Sequence, residues 1–209
     1  MHNTLKTAAI VLALTAPASP AEELAPDALV KTISTDVLAA IRQDKDIQAG
    51  NPKKIASLVE AKILPHFDFA HTTRIAMGAN WRRASPEQRE ELVREFRTLI
   101  VRTYSSALMN YRDQVLEFKP LRAQPGDAQV TVRSEVRQSG AQAVSIDYEM
   151  EKTPSGWKVY DVKISGASLA ATYRDTFAEE VRNHGIEGLI DSLSSKNRQN
   201  DARRAPINT

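Results

Sequence analysis

A strand that leads directly into two helices constrains the fold of this chain more than any other feature. The run that begins at Trp157 is rich in β-forming residues, and the two-residue period of a strand places Trp157 and Val159 on one face. By the same period Tyr160, Val162 and Ile164 fall on the other face. A strand that is apolar on both faces is typical of a sheet interior that is covered on both sides.

The residues after this strand carry two helical stripes. Ser168 is placed to cap the first helix, and His184-Gly185 has the composition of a helix end. The first stripe comprises Leu169, Tyr173, Phe177 and Val181, and the second comprises Ile186, Leu189, Ile190 and Leu193. Because these spacings place each set on one helix face, the sequence predicts two helices that lie back over a sheet.

Three further strands are predicted before this one, at residues 114–121, 129–137 and 143–151. The second and third alternate strictly between apolar and polar residues, and turns at Pro125-Gly126-Asp127 and Ser139-Gly140 separate the three. The inward set is Val130, Val132, Val136, Val144, Ile146, Tyr148 and Met150. The pattern predicts a four-stranded antiparallel meander with one apolar face and one charged face.

Helix start signals fill the chain before the meander. Pro26 opens the first helix, Asn51 caps the next, and Asp68 is placed to cap a short third helix. Ser85-Pro86-Glu87-Gln88 has the form of a capping box and begins the longest helix. We therefore predict an α+β fold, a curved sheet wrapped by helices.

The ends of the 209-residue chain are predicted to lie outside this domain. Lys6 precedes a short apolar run, Pro17 breaks it, and Ser19-Pro20-Ala21 offers a small-residue cleavage site, as in a secretory signal peptide. We therefore assign residues 1–21 to a cleaved signal peptide, 22–195 to one folded domain, and 196–209 to a basic disordered tail.

Charge and cysteine content exclude several classes of function. The formal net charge is +2, and the tail alone holds four cations against Asp201, so the domain has no cationic excess suited to nucleic acid. Because the chain has no cysteine, disulfides, thiolate catalysis, cysteine-bound zinc and a lipidated N-terminal cysteine are excluded.

Few residues suggest catalysis or metal binding. His66-x-Asp68-x-x-His71 holds ligand-type side chains, but the spacing matches no metal motif, and Asp68 is already explained as a cap. Asp161 is an acid on a largely apolar strand, so it is either a general base in a cavity or a structural carboxylate at a sheet edge paired with Lys or Arg. The apolar faces of the long helix, the sheet and the last helices form either a solid core or a cavity, and periodicity leaves both open.

A set of short motifs in fixed order resembles the MlaC, or toluene-tolerance auxiliary, family. The motifs are Asn51-Pro52, Ile63-Leu64-Pro65-His66-Phe67-Asp68-Phe69, Gly78-x-x-Trp81-Arg82, Ser85-Pro86-Glu87-Gln88-Arg89, Tyr104, Gly156-Trp157-Lys158-Val159-Tyr160-Asp161-Val162, Ile164-Ser165-Gly166-x-Ser168-Leu169, Tyr173-Arg174 and Gly185-Ile186-x-Gly188-Leu189-Ile190. They span nearly the whole chain after the signal peptide.

The resemblance implies a periplasmic phospholipid carrier with an NTF2-like fold that encloses acyl chains. It implies transfer of phospholipid between an MlaA-like outer-membrane lipoprotein and an MlaD-like MCE subunit of an inner-membrane ABC transporter, which maintains outer-membrane lipid asymmetry. On this basis we expect a monomer without catalysis, cofactor, metal or nucleic acid, whose cargo is phospholipid. An enzyme using Asp161 with a tyrosine and a lipid-free periplasmic adaptor remain the alternatives.

The predicted wall of the lipid cavity consists of inward-facing residues of the elements that the family fold wraps around lipid. It comprises Trp81, Phe96, Leu99, Ile100, Tyr104, Tyr148, Met150, Val162, Ile164, Leu169, Tyr173 and Phe177.

Overall fold

The structure, a computed structural model, describes residues 24–109 and 114–204. The predicted signal peptide therefore lies outside the described residues. The helices are α1 (Pro26–Gln43), α2 (Lys45–Gln48), α3 (Pro52–Lys62), α4 (Phe69–Met77), α5 (Pro86–Met109) and α6 (Arg174–Arg204). The strands are β1 (Val115–Phe118), β2 (Gln129–Arg137), β3 (Val144–Thr153), β4 (Gly156–Ile164) and β5 (Ala167–Ser168). Short 3-10 turns cover Leu64–His66, Gly78–Arg83 and Ala171–Tyr173.

The strands form one antiparallel sheet in the order β1-β2-β3-β4-β5. This confirms the α+β class and the predicted meander, and it adds a two-residue fifth strand after the turn at Ser165. The N-terminal half of β4 is paired on its other side by Phe67, which forms a parallel bridge with Val159. The strand that the sequence placed inside the sheet therefore has a neighbour along both edges.

The register of β2 and β3 confirms the predicted alternation. Val130 lies opposite Met150, Val132 opposite Tyr148, and Val136 opposite Val144. The residues between them form the charged face, on which charges are neutralised across strands. Lys163 Nζ, for example, lies 2.7 Å from Glu149 Oε1.

A β-bulge corrects the prediction that β4 is apolar on both faces. Glu149 pairs with Asp161 but Met150 pairs with Val159, so Tyr160 is an extra residue in β4. A bulge reverses the alternation beyond it. Trp157 and Val159 therefore share one face with Val162 and Ile164, and the apolar residues of β4 add to the same face as those of β2 and β3.

The predicted helix starts are confirmed by their hydrogen bonds. Asn51 accepts from the N–H groups of Lys53 and Lys54, and Asp68 accepts from the N–H of His71 at 2.9 Å. The capping box is reciprocal: the Ser85 N–H donates to Gln88 Oε1 at 2.9 Å, and the Gln88 N–H donates to Ser85 Oγ at 3.2 Å. Ser168 caps the 3-10 turn rather than α6, since its Oγ accepts from the Ala171 N–H.

The last helix differs from the prediction at its C-terminal end. Gly185 has φ 74° and ψ −177° and breaks α6 where the sequence predicted the end of a helix. Beyond this break, α6 continues through residues assigned to a disordered tail, as far as Arg204. Asn197 is 5% exposed and its Nδ2 donates to the Glu95 carbonyl at 3.0 Å and to Glu95 Oε2 at 2.9 Å. These bonds to α5 hold the first turns of the tail in the fold.

The buried apolar residues form three clusters. The helical cluster lies between α4, α5 and α6, and its largest members include Met77, Leu92, Phe96, Phe177 and Leu193. The N-terminal cluster joins α1, α2 and α3 and consists of Val37, Ile41, Ile47, Ile55, Leu58 and Val59. The sheet cluster consists of Val30 of α1 with Val130, Val132, Met150 and Val159. The helix α1 thus packs on the sheet with its first turns and on α3 with its last ones.

Candidate functional site

The apolar face of the sheet has a covered end, where four side chains are buried, and a partly uncovered end. At the covered end lie Val130, Val132, Met150 and Val159, whose exposed fractions are 7%, 1%, 0% and 3%. Further along the same face lie Val136, Ile146 and Ile164, which are half-buried, and Val144, which is 38% exposed. We call these last four residues the open end of the sheet. Partly exposed apolar side chains gathered at one place are typical of a binding surface.

Tyr148 lies between the covered end and the open end. It is opposite Val132 on β2 and Val162 on β4, and it precedes the open end by one pleat repeat. Burial raises the pKa of the Tyr148 hydroxyl, and hydrogen bonds with the side chains of Ser134 and Ser34 oppose that shift. This hydroxyl is therefore enclosed between the sheet and α1.

A second space lies between α5 and α6, with a cavity volume of about 300 Å³. Four of the predicted wall residues line it, namely Leu99, Tyr104, Tyr173 and Phe177. The rest of its wall is Thr172, Thr176, Glu180, Leu189, Ser192, Leu193 and Lys196. The cavity wall combines apolar side chains with hydroxyl groups and one charge of each sign. Such a wall suits an amphiphilic ligand better than a purely apolar one.

Two tyrosines meet at this cavity. Burial, followed by the charge and hydrogen bond of Tyr104, raises the pKa of Tyr173 to about 12, and a hydrogen bond from Thr103 opposes the shift. The Tyr173 ring packs edge-to-face on Phe96, with 5.0 Å between ring centroids. The Tyr173 hydroxyl is therefore neutral at physiological pH and is held on a rigid aromatic base.

One short segment connects the cavity with the sheet. The Leu169 N–H donates to the Val162 carbonyl at 2.9 Å, and four residues later Tyr173 ends the 3-10 turn. Leu169 is half-buried and belongs to the predicted wall. The chain thus passes from β4 to the wall of the α5–α6 cavity within a few residues.

The structure distributes the twelve predicted wall residues over these regions. Trp81, Phe96, Leu99, Ile100, Tyr173 and Phe177 belong to the helical cluster, and Tyr148, Met150 and Val162 to the sheet cluster. Ile164 and Leu169 lie at or beside the open end, and Tyr104 lies at the cavity. Phe96 and Met150 have no exposed surface, so they could support a wall only from behind.

Sequence reasoning recognised Val136, Val144 and Ile146 as inward-facing but did not select them as site residues. Their alternation is identical to that of the covered residues at the other end of the same strands. The missing signal is which part of the sheet α1 covers, and that depends on tertiary packing. The polar wall of the cavity, including Thr176 and Ser192, was also missed because these residues carry no motif.

Asp161 is held by the backbone. It is 6% exposed, and its Oδ1 accepts from the Val162 N–H at 2.9 Å and from the Ala170 N–H at 3.2 Å. It lies opposite Glu149 on the charged face of the sheet. The structural alternative thus fits the geometry, with backbone amides as partners where the sequence suggested Lys or Arg.

The cluster around His71 is a hydrogen-bonding and stacking arrangement. His71 Nδ1 lies 2.6 Å from Glu151 Oε1, and its ring stacks on Tyr160 with centroids 4.1 Å apart. Desolvation, followed by the charge of Lys158, lowers the pKa of His66. In the described part of the chain, no three His, Cys, Asp or Glu side chains are grouped as metal ligands.

Comparison with known proteins identifies the family. A sequence profile of the MlaC protein family matches residues 31–195. The chain belongs to the MlaC family. Among curated MlaC relatives, the toluene tolerance protein ttg2D of Pseudomonas putida is 23% identical over 199 residues, which cover 94% of this chain and 92% of that one. The intermembrane phospholipid transport system binding protein MlaC of Haemophilus influenzae is 23% identical over 174 residues, covering 82% and 81% of the two chains.

A solved structure supports both the family and the fold. The phospholipid-binding protein from Ralstonia solanacearum, determined in complex with a phospholipid, is 45% identical to this MlaC-family chain. The two superpose with a TM-score of 0.77 over 84% of this chain and 98% of the other. Within residues 24–109 and 114–204, no helix combines the length and apolar character that a membrane crossing requires.

Proposed function

We propose that this protein is a carrier that binds a phospholipid by its acyl chains and moves it through the periplasm. The observation that carries the proposal is the open end of the sheet: Val144 and its neighbours form a half-exposed apolar surface on an otherwise covered face. Membership of the MlaC family and the phospholipid bound by the Ralstonia solanacearum relative support it.

The energetics of lipid transfer explain why an apolar surface is sufficient. Burying one CH₂ group stabilises by about 0.8 kcal/mol, so a lipid with roughly 30 such groups does not cross water unaided. A protein surface that replaces the bilayer around the chains makes loading nearly neutral in free energy and therefore reversible. No proton transfer is needed, so the proposal includes no catalysis and no cofactor.

The proposed wall retains the twelve predicted residues in two layers. Tyr148, Val162, Ile164 and Leu169 at the sheet, and Leu99, Tyr104, Tyr173 and Phe177 at the cavity, would contact lipid. The enclosed residues among the twelve would support them from behind. We further propose that an MlaA-like outer-membrane lipoprotein and an MlaD-like MCE subunit of an inner-membrane transporter exchange lipid with this chain, and that this exchange maintains outer-membrane lipid asymmetry.

Introducing a bulky side chain at each end of the apolar face tests the proposal. Ile164→Trp should leave the melting temperature close to that of the wild type and reduce the phospholipid that copurifies, because the added ring occupies lipid space. Val132→Trp is the matched control on the same sheet face; Val132 is 1% exposed, so overpacking should cost about 1–3 kcal/mol of stability.

Native mass spectrometry and thermal unfolding on the same samples give both readouts. A wild type without lipid, together with equal destabilisation by both substitutions, would show that the open end is an ordinary core. Full phospholipid occupancy in a folded Ile164→Trp protein would remove this surface from the binding site.

A further inference from the structure

The large apolar side chains of this face become more exposed beyond Tyr148. The residue pair before it along the strands, Val130 and Met150, is buried, whereas Ile146 and Val144 beyond it are half-buried and 38% exposed. Strands rise about 3.4 Å per residue, so the four residue steps from Tyr148 to Val144 span about 14 Å along the apolar face. Any acyl chain that enters from the open end along the strands meets the Tyr148 ring first.

The Tyr148 ring is fixed by its hydroxyl. Ser134 is 1% exposed, and its Oγ donates to the Ile146 carbonyl at 3.1 Å. The Tyr148 hydroxyl is also hydrogen-bonded to the Ser134 side chain. Ser34 of α1 binds the same tyrosine hydroxyl. A buried hydroxyl held from both layers keeps the ring from moving aside, because leaving these partners unpaired costs free energy.

The space behind Tyr148 is already occupied. Val30 of α1 packs there with Val130, Met150 and Val159, and Met150 has no exposed surface. A chain could therefore extend past the ring only by displacing packed core residues. The boundary is set by one large side chain rather than by a gradual narrowing.

We propose that Tyr148 is the floor of the lipid site and sets the longest acyl chain that the protein holds. This inference rests on the proposed function and adds a property that lipid binding alone does not require. Up to the floor, each added methylene group gains its full burial energy, roughly fourfold in affinity. Beyond the floor, added methylene groups gain nothing because they remain in water.

Two substitutions that move the floor in opposite directions test this inference. Tyr148→Leu should extend the range, so that phospholipids too long for the wild type gain roughly fourfold per added methylene. Ile146→Trp places a ring one pleat repeat beyond Tyr148, within the open end, and should shorten the range. Tyr160→Leu is the matched control, since Tyr160 is a half-buried tyrosine of the same sheet that stacks on His71 away from the apolar face.

The assay offers each delipidated protein an equimolar mixture of phosphatidylethanolamines that differ only in acyl-chain length and measures the bound species by native mass spectrometry. The inference requires a shift to longer chains for Tyr148→Leu, to shorter chains for Ile146→Trp, and none for Tyr160→Leu. If Tyr148→Leu does not fold, Ile146→Trp still decides the matter.

Two results would overturn the inference while leaving the carrier function intact. One is lipid binding with an unchanged length profile in a folded variant of the pair. The other is a shift of equal size in Tyr160→Leu. A wild type that binds none of the offered lipids would instead refute the proposed function and this inference together.

Discussion

Replacing Asp161 separates a structural carboxylate from a catalytic one. Its Oδ1 accepts from the N–H groups of Val162 and Ala170, and Ala170 has no exposed surface. Asp161→Ala leaves the buried Ala170 N–H without an acceptor, which costs about 1–3 kcal/mol. Asp161→Asn keeps an oxygen at the acceptor position and should cost clearly less. Since about 1 kcal/mol shifts the melting temperature by about 2–4 °C at this size, we expect Asp161→Ala to lower it by about 2–12 °C.

The assay combines thermal unfolding with phospholipid occupancy. Both variants should bind lipid when folded, because hydrocarbon contacts need no proton acceptor. Asp147→Ala is the control on the same charged face; it lies opposite Arg133 and Lys163, and its loss should change stability by no more than about 0.5 kcal/mol. The reasoning fails if Asp161→Asn is as stable and as lipid-loaded as wild type yet abolishes lipid transfer. That result would favour the enzyme alternative.

Two further predictions concern export and pH. Protein released from cells by osmotic shock should begin near Glu22 on N-terminal sequencing, since residues 1–21 have the pattern of a signal peptide; an intact Met1 on cytoplasmic protein would contradict export. Stability should also fall as pH rises from about 10, the ordinary tyrosine pKa, to about 12, the raised pKa of Tyr173. Over that range the unfolded chain loses the Tyr173 proton and the folded chain keeps it. Tyr173→Phe should reduce the slope of the urea unfolding midpoint plotted against pH. An unchanged slope would show that folding does not raise the pKa of the Tyr173 hydroxyl.

Local interactions made much of the fold predictable from the sequence. The caps at Asn51 and Asp68 and the capping box at Ser85 are determined by side chains within three residues of the amides they bind. The alternation of β2 and β3 is equally local, because one buried face specifies the register of every residue. These features need no knowledge of what packs on them.

Features that depend on distant contacts were not predictable. The bulge at Tyr160 has no sequence signal within a run of β-forming residues. The sequence therefore predicts an uninterrupted alternation through β4. The extension of α6 depends on Asn197 reaching Glu95, about a hundred residues earlier in the chain. In the candidate site, Val132 and Val144 are the same residue type in the same alternation, and tertiary packing, including that of α1, leaves one 1% and the other 38% exposed.

This similarity between core and site follows from the proposed function. A surface that must exchange lipid with a bilayer has to be as apolar as a core, so composition cannot distinguish them. The difference lies in coverage, because an uncovered apolar face stays in contact with water until a ligand covers it. Lipid that binds only the folded chain would then stabilise it in proportion to the logarithm of free lipid over the dissociation constant. A very large open surface would bind lipid too tightly to release it, whereas a fully covered one would bind none. A sheet that α1 covers only as far as Tyr148 lies between these limits, which is what reversible transfer requires.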